Sequence, residues 1–300
     1  MNLSVIVPTL NGRDRLARCL DALAEHAPGV EVVVVNGPSA DGTTGMVRDR
    51  ADVDVLVEIA DRRQTVARNA GLDRARGDVI ALLNDALAVE EGWLDALTDA
   101  VADADVVTGP THRKLRSGIA TEEVEARSVD GRTVTFFNGD NAAFSREALD
   151  ALDGFDEHLL TGGARDAAHR LANLEFDVAW EPGMSVRREF GTDGGRAEAD
   201  RRQQYRSLAY RQAKNYGLRP SVLARIAGRA GRDAVGALRE VAGGSARPSS
   251  WLGDGRDVLA GVGGGLKDGV RARWQDRSPR RNPTGCSYRA DRAVAVYDWR

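Results

Sequence analysis

Three aspartates occupy positions where a carboxylate could do chemistry, namely Asp85, Asp140 and Asp166. Asp85 follows an apolar run and lies between Asn84 and Ala86, so it stands as a single carboxylate. One carboxylate can hold Mg²⁺ or Mn²⁺ if phosphates and waters fill the remaining sites, and it can also accept hydrogen bonds from hydroxyl groups. Asp140 and Asp166 are candidates for a general base, although Asp166 suits equally well the cap of the helix that follows it.

These carboxylates need a scaffold, and the first part of the chain predicts an α/β one. Short β-branched runs alternate with helical patterns, and the runs are nearly continuously apolar, as in parallel strands covered on both faces. In such sheets ligands bind at the carboxyl ends of the strands. The predicted strands are Leu3–Val7, Val30–Val35, Val53–Ile59, Val79–Leu83, Asp105–Val107, Thr133–Phe137 and Phe176–Trp180, and the predicted helices are Arg13–Ala24, Thr43–Asp49, Thr65–Arg74, Trp93–Ala102, Arg146–Leu152 and Asp166–Asn173.

Two domains are expected, one formed by residues 1–195 and a basic, mostly helical extension formed by residues 196–300. Within the first, residues 110–132 are polar without clear periodicity and predict an irregular excursion. The last twenty residues are rich in arginine and carry aromatic side chains, which suits a tail that docks back onto the protein.

The helical pattern of Ser221–Ala242 has one apolar face and one basic face. The basic face is typical of a solvated helix packed on its domain, and also of a helix on an anionic surface such as a membrane leaflet. Residues 243–250 then predict a linker, and Gly261–Gly265 predicts a break in the helix that would follow. The residues of the basic face are Arg225, Arg229, Arg232 and Arg239.

Charge is distributed unevenly, because residues 201–300 carry 21 Lys and Arg against 8 Asp and Glu while the whole chain has a net charge of -3. An acidic front and a basic back indicate two parts with different partners. Cys19 and Cys286 are too few for a disulfide framework or a cysteine metal cluster, which suits a reducing cytoplasm. No apolar run reaches the length of a membrane span, so we expect a cytoplasmic protein, at most peripheral on the inner face of the cell membrane.

Five motif-bearing segments follow one another through the first domain. Each begins or ends at a predicted strand, and together they span roughly residues 2–190. Their order and spacing resemble those of the family-2 glycosyltransferases. The segments are Val5–Gly12 (VIVPTLNG), Glu31–Thr43 (EVVVVNGPSADGT), Ala67–Leu83 (with ARNAGL and ARGDVIALL), Leu83–Leu94 (with LNDA and GWL) and Phe137–Glu157 (with FNGDNAAFSREAL and LDGFDE).

The resemblance implies a GT-A fold, in which a mixed but mainly parallel sheet is flanked by helices. It also implies an inverting transferase with a nucleotide-sugar donor and a polyprenyl-phosphate or other glycan acceptor. Mg²⁺ or Mn²⁺ would be held on the diphosphate by Asp85, and Asp166 or Asp140 would be the base, although an acceptor phosphate would need none. The implied donor-binding residues are Pro8, Thr9, Asn11, Asn36, Arg68, Asn84 and Asp85, and the implied acceptor-side residues are Asn138, Gly139 and Asn141.

Several carboxylates of the family pattern are replaced in this chain. Asn36, Asn84 and Ala86 stand where the family commonly has Asp in the donor site, and Ala164 stands where it has the base. Two hypotheses therefore remain: an active transferase in glycan assembly, or a degenerate relative kept as a binding or scaffolding subunit. A Rossmann oxidoreductase is excluded because no Gly-x-Gly-x-x-Gly follows the first strand, and no nucleic-acid partner is expected.

Overall fold

The computed structural model describes residues 2–115, 118–121, 125–129, 131–188, 200–243, 248–275 and 292–300. The chain divides into two compact units. The first consists of Met1–Glu157, Gly163–Gly191 and Gly285–Arg300, and the second of His158–Gly162 and Thr192–Thr284. The boundary expected at residue 195 falls outside the described residues. The C-terminal segment belongs to the first unit, so the helical extension does not run on to residue 300.

All strands of the described residues lie in the first unit. They form an eight-stranded sheet, a four-stranded sheet and a two-stranded hairpin. The strands are β1 (Leu3–Thr9), β2 (Glu31–Asn36), β3 (Val55–Ile59), β4 (Val79–Leu83), β5 (Leu87–Val89), β6 (Val106–Thr108), β7 (Thr111–Leu115), β8 (Gly118–Thr121), β9 (Glu125–Val129), β10 (Arg132–Phe136), β11 (Asn141–Ser145), β12 (Val178–Trp180), β13 (Val186–Arg188) and β14 (Ala293–Asp298).

Helices follow most strands of the first half and make up the second unit. Those of the first unit are α1 (Arg13–His26), α2 (Thr43–Arg48), α3 (Gln64–Leu72), α4 (Trp93–Ala100), α5 (Arg146–Leu152) and α6 (Gly163–Leu174), and those of the second unit are α7 (Arg201–Tyr216), α8 (Pro220–Ala242) and α9 (Pro248–Gln275). In the described residues, no helix is both long and apolar enough to cross a membrane.

The large sheet has the strand order β12-β6-β11-β4-β1-β2-β3-β14. Strands β4, β1, β2 and β3 run parallel, and β11 is inserted antiparallel between β4 and β6. Strand β1 is buried along its whole length, as expected for the centre of a sheet covered on both faces. Because β1, β2 and β4 are parallel, their carboxyl ends meet at one edge, and this edge carries the candidate site.

The C-terminal strand β14 covers the edge of the large sheet by pairing antiparallel with β3. The backbone N–H of Trp299 extends this pairing to the carbonyl of Asp54 at 2.9 Å. Arg292, just before the strand, is almost fully buried and forms an ion pair with Glu157 at 2.8 Å. Residues 292–300, the described part of the arginine-rich tail, therefore dock on the first unit, and β14 removes an edge that would otherwise present unpaired backbone groups.

The helix break predicted at Gly261–Gly265 is wrong, because α9 runs through these residues without interruption. Gly261, Gly265 and Gly269 allow close packing against α7 within the second unit. A Cβ on Gly265 would lie 2.3 Å from the carbonyl oxygen of Arg206, and one on Gly269 would lie 2.6 Å from that of Tyr210. Glycine is a poor helix former, but here it lets two helix backbones approach each other.

Where the structure describes residues 110–132, the excursion predicted there consists of regular strands outside the eight-stranded sheet. Strands β7 and β8 pair with each other, and β7 joins β13 and β5 in the four-stranded sheet. Strand β9 pairs with β10 in the hairpin. The strands of these small sheets are rich in polar residues and lack the continuous apolar run of a buried parallel strand. The sequence pattern therefore does not predict them.

Candidate functional site

A cavity of about 190 Å³ opens at the carboxyl ends of the parallel strands. Four of the predicted donor-binding residues line it, two at the end of β1 and two directly after β4. The loop before α3 supplies most of the other wall, and Arg15 of α1 completes it. The lining residues are Pro8, Thr9, Leu10, Arg15, Gly37, Ile59, Asp61, Arg62, Arg63, Gln64, Ala67, Asn84 and Asp85.

Asp85 is held by two neighbours at the base of this cavity. Its Oδ2 accepts a hydrogen bond from the Thr9 hydroxyl at 2.7 Å and one from Arg15 Nη2 at 3.2 Å. The Asp85 side chain is 9% exposed, whereas that of Arg15 is 38% exposed. The Asp85 carboxylate therefore accepts hydrogen bonds from two groups of the protein, and the partly exposed Arg15 guanidinium next to it faces solvent.

Gly12 makes this three-residue contact sterically feasible. A Cβ at this position would lie 2.2 Å from Asp85 Oδ2, 2.7 Å from Thr9 Oγ1 and 2.9 Å from Arg15 Nη2. Any larger residue would displace at least one of the three groups. A glycine at the end of the first motif is therefore required by the close packing of these three cavity residues.

Asn36 lies behind the cavity, where it holds two loops together. It is buried, its Nδ2 donates to the Thr44 hydroxyl at 3.0 Å, and its Oδ1 accepts from the Ser39 hydroxyl at 2.7 Å. The Ser39 oxygen accepts from the backbone N–H of Asn11, and the Asn11 side chain accepts from Ala40 N–H at 2.9 Å. Both predicted donor residues, Asn11 and Asn36, therefore shape the loop, and neither lines the cavity.

Asp41 in the same loop acts as a turn residue, as its sequence context indicates. One carboxylate oxygen accepts from the backbone N–H of Thr43 and the other from that of Arg13. Hydrogen bonding from the Thr43 hydroxyl is the main reason why the pKa of the Asp41 carboxyl is lowered. This residue ties the start of α1 to the start of α2.

Arg68 joins α3 to the segment before β11. Its guanidinium donates to the Gly139 carbonyl and to Asp140 Oδ1, the latter at 3.3 Å. Burial lowers the pKa of Arg68, and the negative charge of Asp140 acts against that shift. Arg68 is buried behind the cavity lining, so its role is to hold the 138–140 segment in place.

Asp140 lies directly beside the strand end that carries Asp85. Asn141 pairs with Leu83 across β11 and β4, and the backbone N–H of Asn84 donates to the Asp140 carbonyl at 3.0 Å. One third of the Asp140 side chain is exposed, and Oδ1 also accepts from Gln64 at 3.3 Å. Asp140 does not line the cavity itself, but of the two predicted bases it is the one that contacts a lining residue, Gln64.

The predicted acceptor-side residues have different positions. Asn138 Oδ1 accepts from the backbone N–H of Asp140 at 3.0 Å, which shapes the turn. Asn141 is fully buried, accepts from Trp93 Nε1 at 3.1 Å and donates to the Met184 carbonyl at 2.8 Å. Gly139 is packed so closely that a Cβ there would lie 2.6 Å from that of Ala164. The turn is thus near the position where the family has its base, while Asn141 stabilises the fold.

Asp166 is fully buried in the first turn of α6. Its Oδ2 accepts from Arg170 Nε at 2.9 Å, and both side chains are 0% exposed. Arg170 also donates to the carbonyls of Leu152 and Gly154, which end α5 and its following turn. In this position the carboxylate is shielded from any substrate, and the pair fastens α6 to α5.

Sequence reasoning missed Arg15, Gln64 and the pair formed by Asp61 and Arg63. Arg63 is bound by Asp61 and donates to the Glu157 carbonyl at 2.6 Å, which closes one wall of the cavity. An arginine in the first turn of a helix resembles any solvated side chain. The sequence feature that could have indicated Arg15 is its position, three residues after the glycine that ends the first motif.

Comparison with known proteins adds a family and a fold. A sequence model of the glycosyl transferase family 2 matches residues 4–153. The glycosyltransferase AglE of Haloferax volcanii is 23% identical over 224 residues, which cover 65% of this chain and 73% of that protein. The succinoglycan biosynthesis protein ExoO of Rhizobium meliloti is 32% identical over 140 residues, which cover 46% of this chain and 37% of that protein.

Among solved structures, a mannosyltransferase of Pyrobaculum calidifontis in complex with GDP-Man and Mn²⁺ superposes with a TM-score of 0.57. It is 21% identical and the match covers 89% of this chain and 87% of that one. This likeness confirms the fold class predicted above, a mixed, mainly parallel α/β sheet with helices and a helical C-terminal part.

Both carboxylates of the cavity lining, Asp61 and Asp85, are already paired with a guanidinium group and are not arranged around a vacant cation position. In nucleotide sites, Mg²⁺ and Mn²⁺ are bound by one or two carboxylates together with phosphate oxygens and waters. Here Asn84 Oδ1 accepts from the backbone N–H of Ala86, Ala86 has no side-chain oxygen, and Asp85 is paired with a guanidinium. Within the described residues, no group of three or more His, Cys, Asp or Glu side chains could hold a metal ion.

Proposed function

Because the chain belongs to glycosyl transferase family 2, we propose that it transfers a sugar from a nucleotide-sugar donor to a polyprenyl phosphate at a membrane surface. Binding of a nucleotide-sugar donor is supported by the cavity at the carboxyl ends of β1 and β4, which residues of the first and fourth motifs line. This is where ligands bind in open α/β sheets. The relatives, which are named as glycosyltransferases or as polysaccharide biosynthesis proteins, give no support to a scaffolding role.

Within the described residues, none of the predicted base positions offers a poised carboxylate, and this favours a phosphate as the acceptor. An acceptor hydroxyl must lose a proton during transfer, whereas an ionised phosphate oxygen attacks without proton removal. Ala164 has no carboxylate, Asp166 is buried against Arg170, and Asp140 is engaged by Arg68. The reaction is inverting, because one direct displacement at the anomeric carbon reverses its configuration and needs no covalent sugar–enzyme intermediate.

An apolar groove in the second unit suits the polyprenyl chain or the lipid surface that contains it. The groove has a volume of about 940 Å³ and is formed by α9 and the start of α8. Its Trp274 side chain is 78% exposed, and Lys267 and Arg271 flank it. Exposed apolar surface of this kind marks an interaction site, and cations next to it attract anionic lipid. The lining residues are Leu218, Leu223, Leu266, Lys267, Val270, Arg271, Trp274 and Gln275.

Helix α8 adds a second indication of a membrane surface. Val222 and Ile226 near its start are buried, whereas Leu223, Val235 and Leu238 are exposed. The basic face of the helix is exposed as well. An amphipathic helix with apolar and basic sides both accessible can lie in the interface of an anionic leaflet. We therefore assign the protein a peripheral position on the cytoplasmic face of the membrane.

A donor-binding screen tests the donor half of the proposal. Calorimetric titration of the full chain with UDP, GDP and dTDP and their sugars should give saturable binding for one nucleotide. A Gly12→Val variant should bind at least ten-fold more weakly, because its side chain displaces Asp85 or Arg15. A Gly45→Val variant is the matched control, since a Cβ there meets no atom within 4 Å and the backbone at this position does not have a positive φ. Absence of binding for all three nucleotides, with and without Mn²⁺, would refute the donor proposal.

Vesicle flotation tests the membrane half. The full chain should float with vesicles containing anionic lipid and remain in solution with zwitterionic vesicles. Changing the four arginines of the basic face to Ser, or Trp274 to Ser, should reduce the floating fraction at least five-fold. A variant with four exposed arginines of the first unit changed to Ser (Arg18, Arg74, Arg76 and Arg127) removes the same number of charges and controls for total charge. Equal flotation of all variants would contradict the assignment.

A further inference from the structure

The donor diphosphate needs a positive partner, and the cavity already contains one. When the bond between sugar and diphosphate breaks, the leaving nucleoside diphosphate gains negative charge that must be stabilised. Both carboxylates of the cavity lining are already paired with arginine side chains, as described above. The position beside that carboxylate is instead occupied by the guanidinium of Arg15, at 3.2 Å.

Arg15 is held in a defined position while part of it stays accessible. Asp85 fixes one nitrogen of the guanidinium, and Thr9 in turn fixes Asp85 through a 2.7 Å hydrogen bond. A guanidinium has five N–H donors in a planar fork that matches phosphate oxygens, so contact with Asp85 at Nη2 leaves Nε and Nη1 to be directed at a ligand. The side chain is 38% exposed and belongs to the cavity lining.

The other charges of the cavity act in the same direction. Arg62 and Arg63 also line it, so three guanidinium groups face two carboxylates, those of Asp61 and Asp85. Arg63 is bound by Asp61. The excess is positive, as a diphosphate requires, and Arg15 is the cation next to the strand end that carries Asp85.

We propose that Arg15 replaces the divalent cation, binding the donor diphosphate and stabilising the nucleoside diphosphate as it leaves. The proposal rests on the donor binding proposed above. An oxygen of the acceptor phosphate forms a bond to the anomeric carbon, and the bond from that carbon to the terminal phosphate oxygen of the donor breaks. The electron pair of the broken bond leaves on the nucleoside diphosphate, and no proton moves. Asp85 is then a positioning residue that orients Arg15.

Binding with and without metal tests this assignment. The nucleoside diphosphate found in the donor screen is titrated into the full chain in EDTA and again in Mn²⁺. Wild type should bind in EDTA with a Kd within about three-fold of that in Mn²⁺. Arg15→Met, which keeps the length of the side chain, should bind about 10- to 100-fold more weakly, as expected for loss of charge-assisted hydrogen bonds. Arg15→Lys should recover part of the loss, because it restores the charge without the fork.

The matched control is Arg18→Met, an exposed arginine one turn further along α1, which should bind like wild type. Circular dichroism of each variant establishes that it is folded. Wild-type binding that disappears in EDTA and returns with Mn²⁺ would overturn the inference while leaving the proposed function intact. Arg15→Met binding equal to wild type would overturn it too. No wild-type binding under either condition would refute the proposed function, and the role of Arg15 with it.

Discussion

Asp166 provides a sharp test, because the sequence pattern makes it a candidate base while the structure places it in a buried ion pair. Asp166→Ala would leave the Arg170 guanidinium, which is 0% exposed, without its carboxylate partner. Removing one member of a buried pair costs about 3–5 kcal/mol of unfolding free energy, because the remaining charge stays buried. In the variant, the carbonyls of Leu152 and Gly154 still accept hydrogen bonds from Arg170. We therefore expect a loss of unfolding free energy near the lower end of that range.

The assay is urea unfolding of the full chain, followed by far-ultraviolet circular dichroism and by hydrogen exchange in α6. Asp166→Asn, which keeps one oxygen acceptor, should lose less, about 1–3 kcal/mol. The double change Asp166→Leu with Arg170→Leu should lose less than Asp166→Ala, since no unpaired charge remains. Asp150→Ala, at an exposed aspartate of α5, is the control and should stay within about 0.5 kcal/mol.

The reasoning would be refuted if Asp166→Ala changed the unfolding free energy by less than about 1 kcal/mol while abolishing sugar transfer. Such a result would mean that the carboxylate contacts the reactants. The expected result is the opposite: the folded fraction of Asp166→Asn retains a kcat within a few-fold of wild type.

Two further predictions concern other parts of the molecule. Asp140→Asn should lower kcat by less than about ten-fold, because a phosphate acceptor needs no base; a fall of about 10²- to 10⁴-fold with an unchanged donor KM would instead indicate a hydroxyl acceptor and a base role for Asp140. Gly265→Leu should disrupt the packing of α7 on α9, where even a Cβ would lie 2.3 Å from a backbone oxygen, and should lower the thermal unfolding temperature. Gly263→Leu, where a Cβ meets no atom within 4 Å, should leave that temperature within about 2 °C.

Some elements were predictable with their observed bounds. Strand β4 is a continuous apolar run between Asp78 and Asn84, and α5 begins after Ser145, whose hydroxyl accepts from the N–H of Ala148. Both have a strong local reason, the hydrophobic run in one case and the helix cap in the other. Helix α9 shows the opposite case, because its glycines are unfavourable locally and are explained only by the neighbouring α7.

The candidate site was predictable in outline and not in its contacts. The order of motifs and the parallel strands lead to the loops of Thr9 and Asp85, which do line the cavity. The burial of Asn141 depends on Trp93 and Met184, which are distant in sequence, and no local pattern reveals it. Arg15 was missed for the same reason, since its pairing with Asp85 joins positions seventy residues apart.

The most direct measurement of the central claim is the transfer reaction itself. The full chain is incubated with its nucleotide sugar and a polyprenyl phosphate in EDTA, and both the released nucleoside diphosphate and the lipid product are quantified. We expect equal amounts of nucleoside diphosphate and glycosylated lipid, formed only when the lipid phosphate is present. Absence of both products with every nucleotide sugar that binds, in EDTA and in Mn²⁺ alike, would contradict it.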